Sequence, residues 1–216
     1  MDESTSEHTP SPAHKPCDCS KALKYYFQFP HFKLTVLAPP KCGQTTMQWL
    51  KKDHQGACTL QTPGDVRRQR NFPVLAVIRN PVDRFWSLYQ NKVLDQSAPV
   101  RTKGVPEWQH LGYRPTPAQA LEWIADHPYQ NIHWIPQACF DYTLATWVVR
   151  LEDLSEVWNR DKSLPQLPHK NKSHFKADRD PVVSAAVAEL YAEDMEIWER
   201  AKTPPSLREI PQLGNS

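Results

Sequence analysis

The chain has 216 residues, 39% of them hydrophobic and eight of them Trp, enough for one α/β domain with a real core. A net charge of only +2 argues against a nucleic-acid binder, and no run approaches the roughly 20 apolar residues of a membrane span. Twenty-one Pro against six Gly imply rigid connections and several long loops. Residues 1–22 are polar and without periodicity, which predicts a disordered segment and offers no apolar stretch for a secretory signal. The folded domain is expected over residues 23–202, followed by a Pro-rich surface tail over 203–216.

The first predicted strand, 33–38, is an apolar run that ends in Pro39 and Pro40. A loop of pattern K-x-G-x-T-T follows, from Lys41 to Thr46, and then a helix over 44–53. A strand, a tight loop and a helix N-terminus make an anion site, because free N–H groups and the positive end of the helix dipole converge there. Lys41 adds a full charge, and Thr45 and Thr46 add hydroxyl donors. The common nucleotide loop, G-x-x-x-x-G-K-[ST], places Lys after its last Gly; here Lys41 precedes Gly43 by two residues.

Residues 54–72 read as a polar, basic loop with a short strand near Cys58. A second buried-strand run, 74–79, leads to Pro81 at a helix start, where a missing N–H costs nothing. That helix runs to about Leu94, with Phe85, Leu88, Tyr89 and Val93 as its apolar stripe. A long loop over 95–115 precedes a helix over 117–126. An irregular aromatic segment, Tyr129 to Cys139, comes next, then a strand over 146–151 and a short helix to Trp158. A basic loop, 160–180, precedes a final helix over 181–201, opened by Asp180 as cap and Pro181 in the first turn. Strands alternating with helices predict an α/β fold with a parallel sheet flanked by helices. Ligands of such sheets sit at the carboxyl ends of the strands, where both Lys41 and Arg79 fall.

Five cysteines, at 17, 19, 42, 58 and 139, are odd in number and suggest no disulfide framework. Cys17 and Cys19 lack companions at zinc-like spacing. All five are expected as reduced free thiols, and no metal site is expected.

Two segments together carry a family likeness. Pro40, Lys41, Gly43, Thr45 and Thr46, followed by Arg79, Pro81, Arg84, Ser87 and Tyr89, resemble the two nucleotide motifs of the sulfotransferases. That family uses the donor PAPS, 3'-phosphoadenosine 5'-phosphosulfate. The resemblance implies a P-loop-like sulfotransferase fold. It implies that Pro40, Lys41, Cys42, Gly43, Gln44, Thr45 and Thr46 hold the 5'-phosphosulfate and that Arg79 and Ser87 hold the 3'-phosphate. Lys41 is then the residue that neutralises the departing phosphate, by analogy with phosphoryl transfer, and no metal is needed. Cys42 stands as a small tolerated residue where relatives often have Thr or Ser, and Gln44 departs from the usual small residue of the motif. Arg84 is left between a phosphate contact and an ion pair with Asp83 or another carboxylate.

Later segments follow in the family's order. Asn131 to Gln137 resembles the H-W-x-P-Q stretch of the carbohydrate branch, which implies a sugar hydroxyl as acceptor and 3',5'-ADP as product. Val149 to Leu154 resembles the strand-plus-E-D-L segment, and Glu189 to Asp194 the terminal helix. Leu167 to Ser173 resembles the loop that closes over the nucleotide, with Lys172 and Ser173 as phosphate contacts and Lys170 as a substitute. The catalytic base is assigned to His133 and then His54, with Asp53, Glu122 and Glu152 as carboxylate alternatives. Glu152 also reads as a structural hydrogen-bonding residue, and Trp86, Trp108, Trp123 and Trp134 as acceptor platforms or core. The expected location is cytoplasmic, unlike the animal carbohydrate enzymes of the Golgi membrane. Two alternatives remain: a P-loop nucleotide kinase or NTPase using ATP and Mg²⁺, and a nucleotide-binding module without catalysis.

Overall fold

A computed structural model describes residues 25–54, 56–60, 63–68, 72–94, 114–167 and 178–201. The segments predicted at 1–22 and 203–216, residues 95–113 of the loop predicted over 95–115, and Lys170, Lys172, Ser173 and Trp108 lie outside the described residues.

Five strands form one mixed sheet: β1 (Tyr26–Phe29), β2 (Leu34–Leu37), β3 (Cys58–Leu60), β4 (Val74–Ile78) and β5 (Trp147–Arg150), in spatial order β3-β1-β2-β4-β5. The half that bears the anion motifs is parallel, as expected. Leu37 lies opposite Ala76, and Ile78 opposite Arg150. The other half is antiparallel, because β1 turns into β2 through a single 3-10 turn, Pro30–Phe32, closed by Lys33 in the left-handed region at φ 49°. Reading the first strand at residue 33 overlooks β1, an aromatic run interrupted only by Gln28, with no alternating pattern to mark it. The reading of 54–72 as loop overlooks a helix, α2 (Pro63–Arg68), too short for a periodic signal.

β2 and β4 are buried along their whole length, as strands covered on both faces must be. Alternate side chains enter two cores. Val36, Leu75 and Val77 pack with Met47 and Leu50 of α1 (Gln44–Asp53) and with Val157 and Trp158 of the helix Leu154–Arg160, while Leu37, Val74 and Ala76 face Ile135 and Phe140. A third cluster joins α3 (Pro81–Tyr89), α4 (Pro117–Asp126) and the helix Pro181–Leu190.

Numbered in chain order, Leu154–Arg160 is α5, Pro181–Leu190 is α6 and Ala192–Arg200 is α7. The expected single helix over 181–201 is thus two, broken at Tyr191, whose φ of −111° and ψ of 38° leave the helical region. The break has a packing cause: Tyr191 is buried and its hydroxyl donates to the Trp134 carbonyl at 2.6 Å.

The cysteine expectation needs one correction. Cys42 and Cys58 are free, but Cys139 is disulfide-bonded. Spacing along the chain does not decide pairing; separation in space does. Among the described residues no helix is long and apolar enough to cross a membrane.

Candidate functional site

The site lies where β2 and β4 end. After β2 the chain turns sharply: the Cys42 N–H donates to the Pro39 carbonyl at 2.9 Å, Lys41 takes φ 69° and Gly43 takes φ 87°. Only Gly adopts the second angle without strain. Gly43 is the N-cap of α1 and offers no side-chain acceptor, and the first turn has no acid. The opening N–H groups, at Gln44, Thr45 and Thr46, therefore point out of the helix with no cap to satisfy them. All three residues are at least partly accessible.

Lys41 is half-buried, and its ammonium donates to Asn91 Oδ1 at 2.7 Å. Burial lowers its pKa to about 8, helped by the like charges of Lys92, Arg79 and Arg84. Arg79 leaves the end of β4 and donates from Nη1 to the Lys41 carbonyl at 3.2 Å, which ties the two strand ends together. Burial also lowers the Arg79 pKa. Ser87 lies two turns along α3 and is partly accessible.

Of the alternatives left for Arg84, the ion pair is not formed among the described residues. Arg84 is 4% exposed, its Nε donates to the Pro40 carbonyl at 3.3 Å and its Nη1 to the Ile135 carbonyl at 2.8 Å. Asp83 pairs instead with Arg179. Arg84 thus laces the phosphate-type loop to the aromatic segment; two carbonyls solvate the buried cation, and the buried Asp194 carboxylate acts on it electrostatically without forming an ion pair. Its Nη2 is buried with no partner among the described residues, as is His133 Nδ1, and both residues line one small cavity between α3 and the 133–134 segment.

His133 is therefore brought to the site. Burial, then Lys92, Lys41 and Arg84, push its pKa down to about 3, so the ring is neutral at physiological pH. His54 is not brought there. It follows the far end of α1, a ten-residue helix about 15 Å long, and packs edge-on against Phe32. Asp53 ends the same helix. Glu122 is exposed on α4, and Glu152 accepts from Trp198 Nε1 at 2.9 Å, the structural role read for it. Trp86 and Trp134 are 1% and 2% exposed, hence core and not platforms. Tyr89 is likewise buried, its hydroxyl donating to the Pro115 carbonyl.

Sequence reasoning gave Gln137 no role, yet it joins the site together. Its Oε1 accepts from the Arg79 N–H at 3.0 Å and from Cys42 Sγ at 2.9 Å, and its Nε2 donates to the Arg79 carbonyl at 2.8 Å. Gln137 is itself held by Asp194 of α7, which is 0% exposed. The Asp194 carboxylate accepts from the Gln137 and Ala138 N–H groups, each at 2.7 Å. Burial raises the Asp194 pKa, and Arg84 and these N–H donors oppose it. Cys42 thus earns its place as a small donor; burial raises its pKa to about 11, so it is no nucleophile.

The arrangement gathers cations at the two strand ends. Lys41, Arg79 and Arg84 form no ion pair with a carboxylate among the described residues, and the uncapped start of α1 follows Lys41 by three residues. No curated protein and no solved structure matches the chain. A model of the sulfotransferase family matches residues 23–176, a span that holds the α1 loop, the Arg79 segment and Gln137. The chain therefore belongs to the sulfotransferase family, and its chemistry is sulfuryl transfer.

Proposed function

We propose that the donor is PAPS and that the acceptor is a hydroxyl group, on a carbohydrate. One observation carries the donor assignment: two anion-binding features end adjacent parallel strands and are tied to each other by the Arg79 to Lys41 hydrogen bond. A nucleotide with phosphate at both its 5' and 3' positions needs two such features on one sheet edge. The residues fit it, since the N–H groups opening α1 have no side-chain cap and, among the described residues, the cations beside them are not paired with carboxylates. A kinase-type loop would place its Lys directly before Ser or Thr, whereas Cys42 follows Lys41 here. The sugar acceptor rests on the likeness of Asn131 to Gln137 to the carbohydrate branch.

When bound, PAPS supplies the sulfuryl group and leaves as 3',5'-ADP. The chain's residues do the rest. The α1 N–H groups, Thr45 and Thr46 hold the 5'-phosphate, and Arg79 and Ser87 hold the 3'-phosphate. Lys41 stabilises charge gathering on the leaving oxygen. His133, neutral, takes the proton of the acceptor hydroxyl as its oxygen bonds to sulfur. Burial is the main cause of the lowered His133 pKa, and Lys41 is one of the cations that add to it; the donor's phosphates offset the Lys41 charge, so the ring becomes a stronger base with donor in place. Among the described residues its Nδ1 has no partner, which supports a ring not committed to a structural bond.

The disulfide at Cys139 weighs against the cytoplasmic location, because disulfides persist in oxidising compartments and are rare in the cytosol.

Calorimetric titration tests the donor assignment. Tight binding of 3',5'-ADP is expected, weakened roughly 10- to 100-fold in Arg79→Ala, the scale of a lost charge-assisted contact. Equal or better binding of ATP with Mg²⁺ would sink the assignment. Donor binding without turnover on any hydroxyl acceptor would instead favour the non-catalytic module.

A further inference from the structure

Lys41 is the charge that the proposed chemistry depends on, and its own surroundings push it away. Lys92, Arg79 and Arg84 are all like charges, and His133, also near, carries none. A lysine stem is flexible, so an ammonium in such a field needs something to hold it in one place. Among the described residues its partner is a neutral one, Asn91 Oδ1 at 2.7 Å. Asn91 belongs to the π-helical turn Gln90–Leu94 that continues α3, and π turns recur where a helix is locally adapted to function. It lies seven residues after Arg84, two turns along the same helix face. One stripe of this element therefore grips the loop twice: Arg84 at the Pro40 carbonyl and Asn91 at the Lys41 ammonium.

We propose that Asn91 is a positioning residue for Lys41, whose amide oxygen fixes the ammonium beside the α1 N-terminus without neutralising it. The choice of an amide matters. A carboxylate at this position would hold the ammonium as well, but it would cancel the charge and compete with the incoming anion. An apolar residue would leave the charge free but unplaced, and misplacement costs rate more than affinity. This role rests on the sulfotransfer reading for what Lys41 does, but the contact itself can be tested without it.

The test compares Asn91→Ala and the near-isosteric Asn91→Asp with wild type in the full chain. It uses three readouts: the pH titration of Lys41 followed by the ¹³Cε signal absent from Lys41→Arg, binding of 3',5'-ADP, and steady-state turnover. In Asn91→Ala, kcat should fall roughly 10- to 100-fold while 3',5'-ADP affinity stays within about threefold. In Asn91→Asp, the Lys41 midpoint should rise by about one pH unit or more, and 3',5'-ADP should bind more weakly than to Asn91→Ala. Wild-type kcat in Asn91→Ala, or an unmoved Lys41 midpoint in Asn91→Asp, overturns the proposal. If wild type neither binds 3',5'-ADP nor turns over, the sulfotransfer reading fails instead, and the Lys41 titration alone decides whether Asn91 holds the ammonium.

Discussion

α1 and α3 both begin where a parallel strand ends, on the same edge of one sheet, and their N-termini are finished in opposite ways. At α3, Asn80 Oδ1 accepts from the Val82 and Asp83 N–H groups at 3.0 and 3.2 Å, Pro81 removes a further donor, and Asp83 sits in the first turn. At α1 the cap is Gly43, with no side-chain acceptor, no acid and no Pro. The α3 start is complete within the protein, whereas the α1 start has no side-chain cap, as the proposed anion site requires. α3 therefore contributes through its side-chain face, with Arg84, Ser87 and, beyond its end, Asn91. Helix dipoles alone do not define this site; which donors are left unsatisfied does.

The largest effect that separates the two ends is expected at Lys41. Lys41→Ala should cut turnover by about 10³-fold or more, the scale of losing a charge that stabilises the leaving group. Wild-type activity in that variant would remove Lys41 from the chemistry. The same residue sets a pH limb. Its pKa is lowered to about 8 in the free protein, and a bound anion must raise it. Protonated Lys41 therefore favours binding: 3',5'-ADP affinity should be full below about pH 8 and fall as pH rises through it, by up to about tenfold per pH unit. Lys41→Arg stays charged across that range and should flatten the limb. Persistence of the limb in Lys41→Arg would assign it to another group.

The fold and the loop were legible because their signals are local. β2 and β4 are apolar runs fenced by Pro, α1 and α4 carry helical periodicity, and Lys41 to Thr46 lie in one hexapeptide. What escaped is what depends on contacts distant in sequence. Asp194 reaches Gln137 across 57 positions, and Gln137 reaches Cys42 across 95. Nothing in a single sequence marks a buried Gln as the joint between two loops, although its place in the H-W-x-P-Q stretch was the one available hint. Arg84 was undecidable for the same reason, since its acceptors are main-chain carbonyls, which have no sequence signature. His54 misled because closeness along the chain to the loop is cancelled by the length of α1.

Gly43 and Asn80 give the direct comparison of the two helix starts, with smaller effects. Gly43→Ala keeps the α1 N–H groups but forces a methyl into the left-handed region at φ 87°, and the new Cβ would lie 3.4 Å from Leu151 Cδ1. The contact is tolerable and the backbone angle is not, so stability should fall by about 1–2 kcal/mol. Affinity for 3',5'-ADP should fall as well, because relief of the strain rotates the donors that the anion uses. Loss of stability with unchanged affinity would mean that the α1 start does not bind the nucleotide.

Asn80→Ala should show the complementary pattern. It uncovers the Val82 and Asp83 N–H groups at the α3 start and should cost about 1 kcal/mol in thermal or urea unfolding. The newly opened α3 terminus keeps Asp83, whose carboxylate repels an anion, and Pro81 supplies no N–H. Affinity for 3',5'-ADP should accordingly stay within about twofold of wild type. A gain in affinity would show that any uncapped helix start on this edge can take the phosphate, and that Gly43 is not what distinguishes α1. Unchanged affinity beside the loss in Gly43→Ala locates the anion at one of two neighbouring helices, by the donors each leaves open.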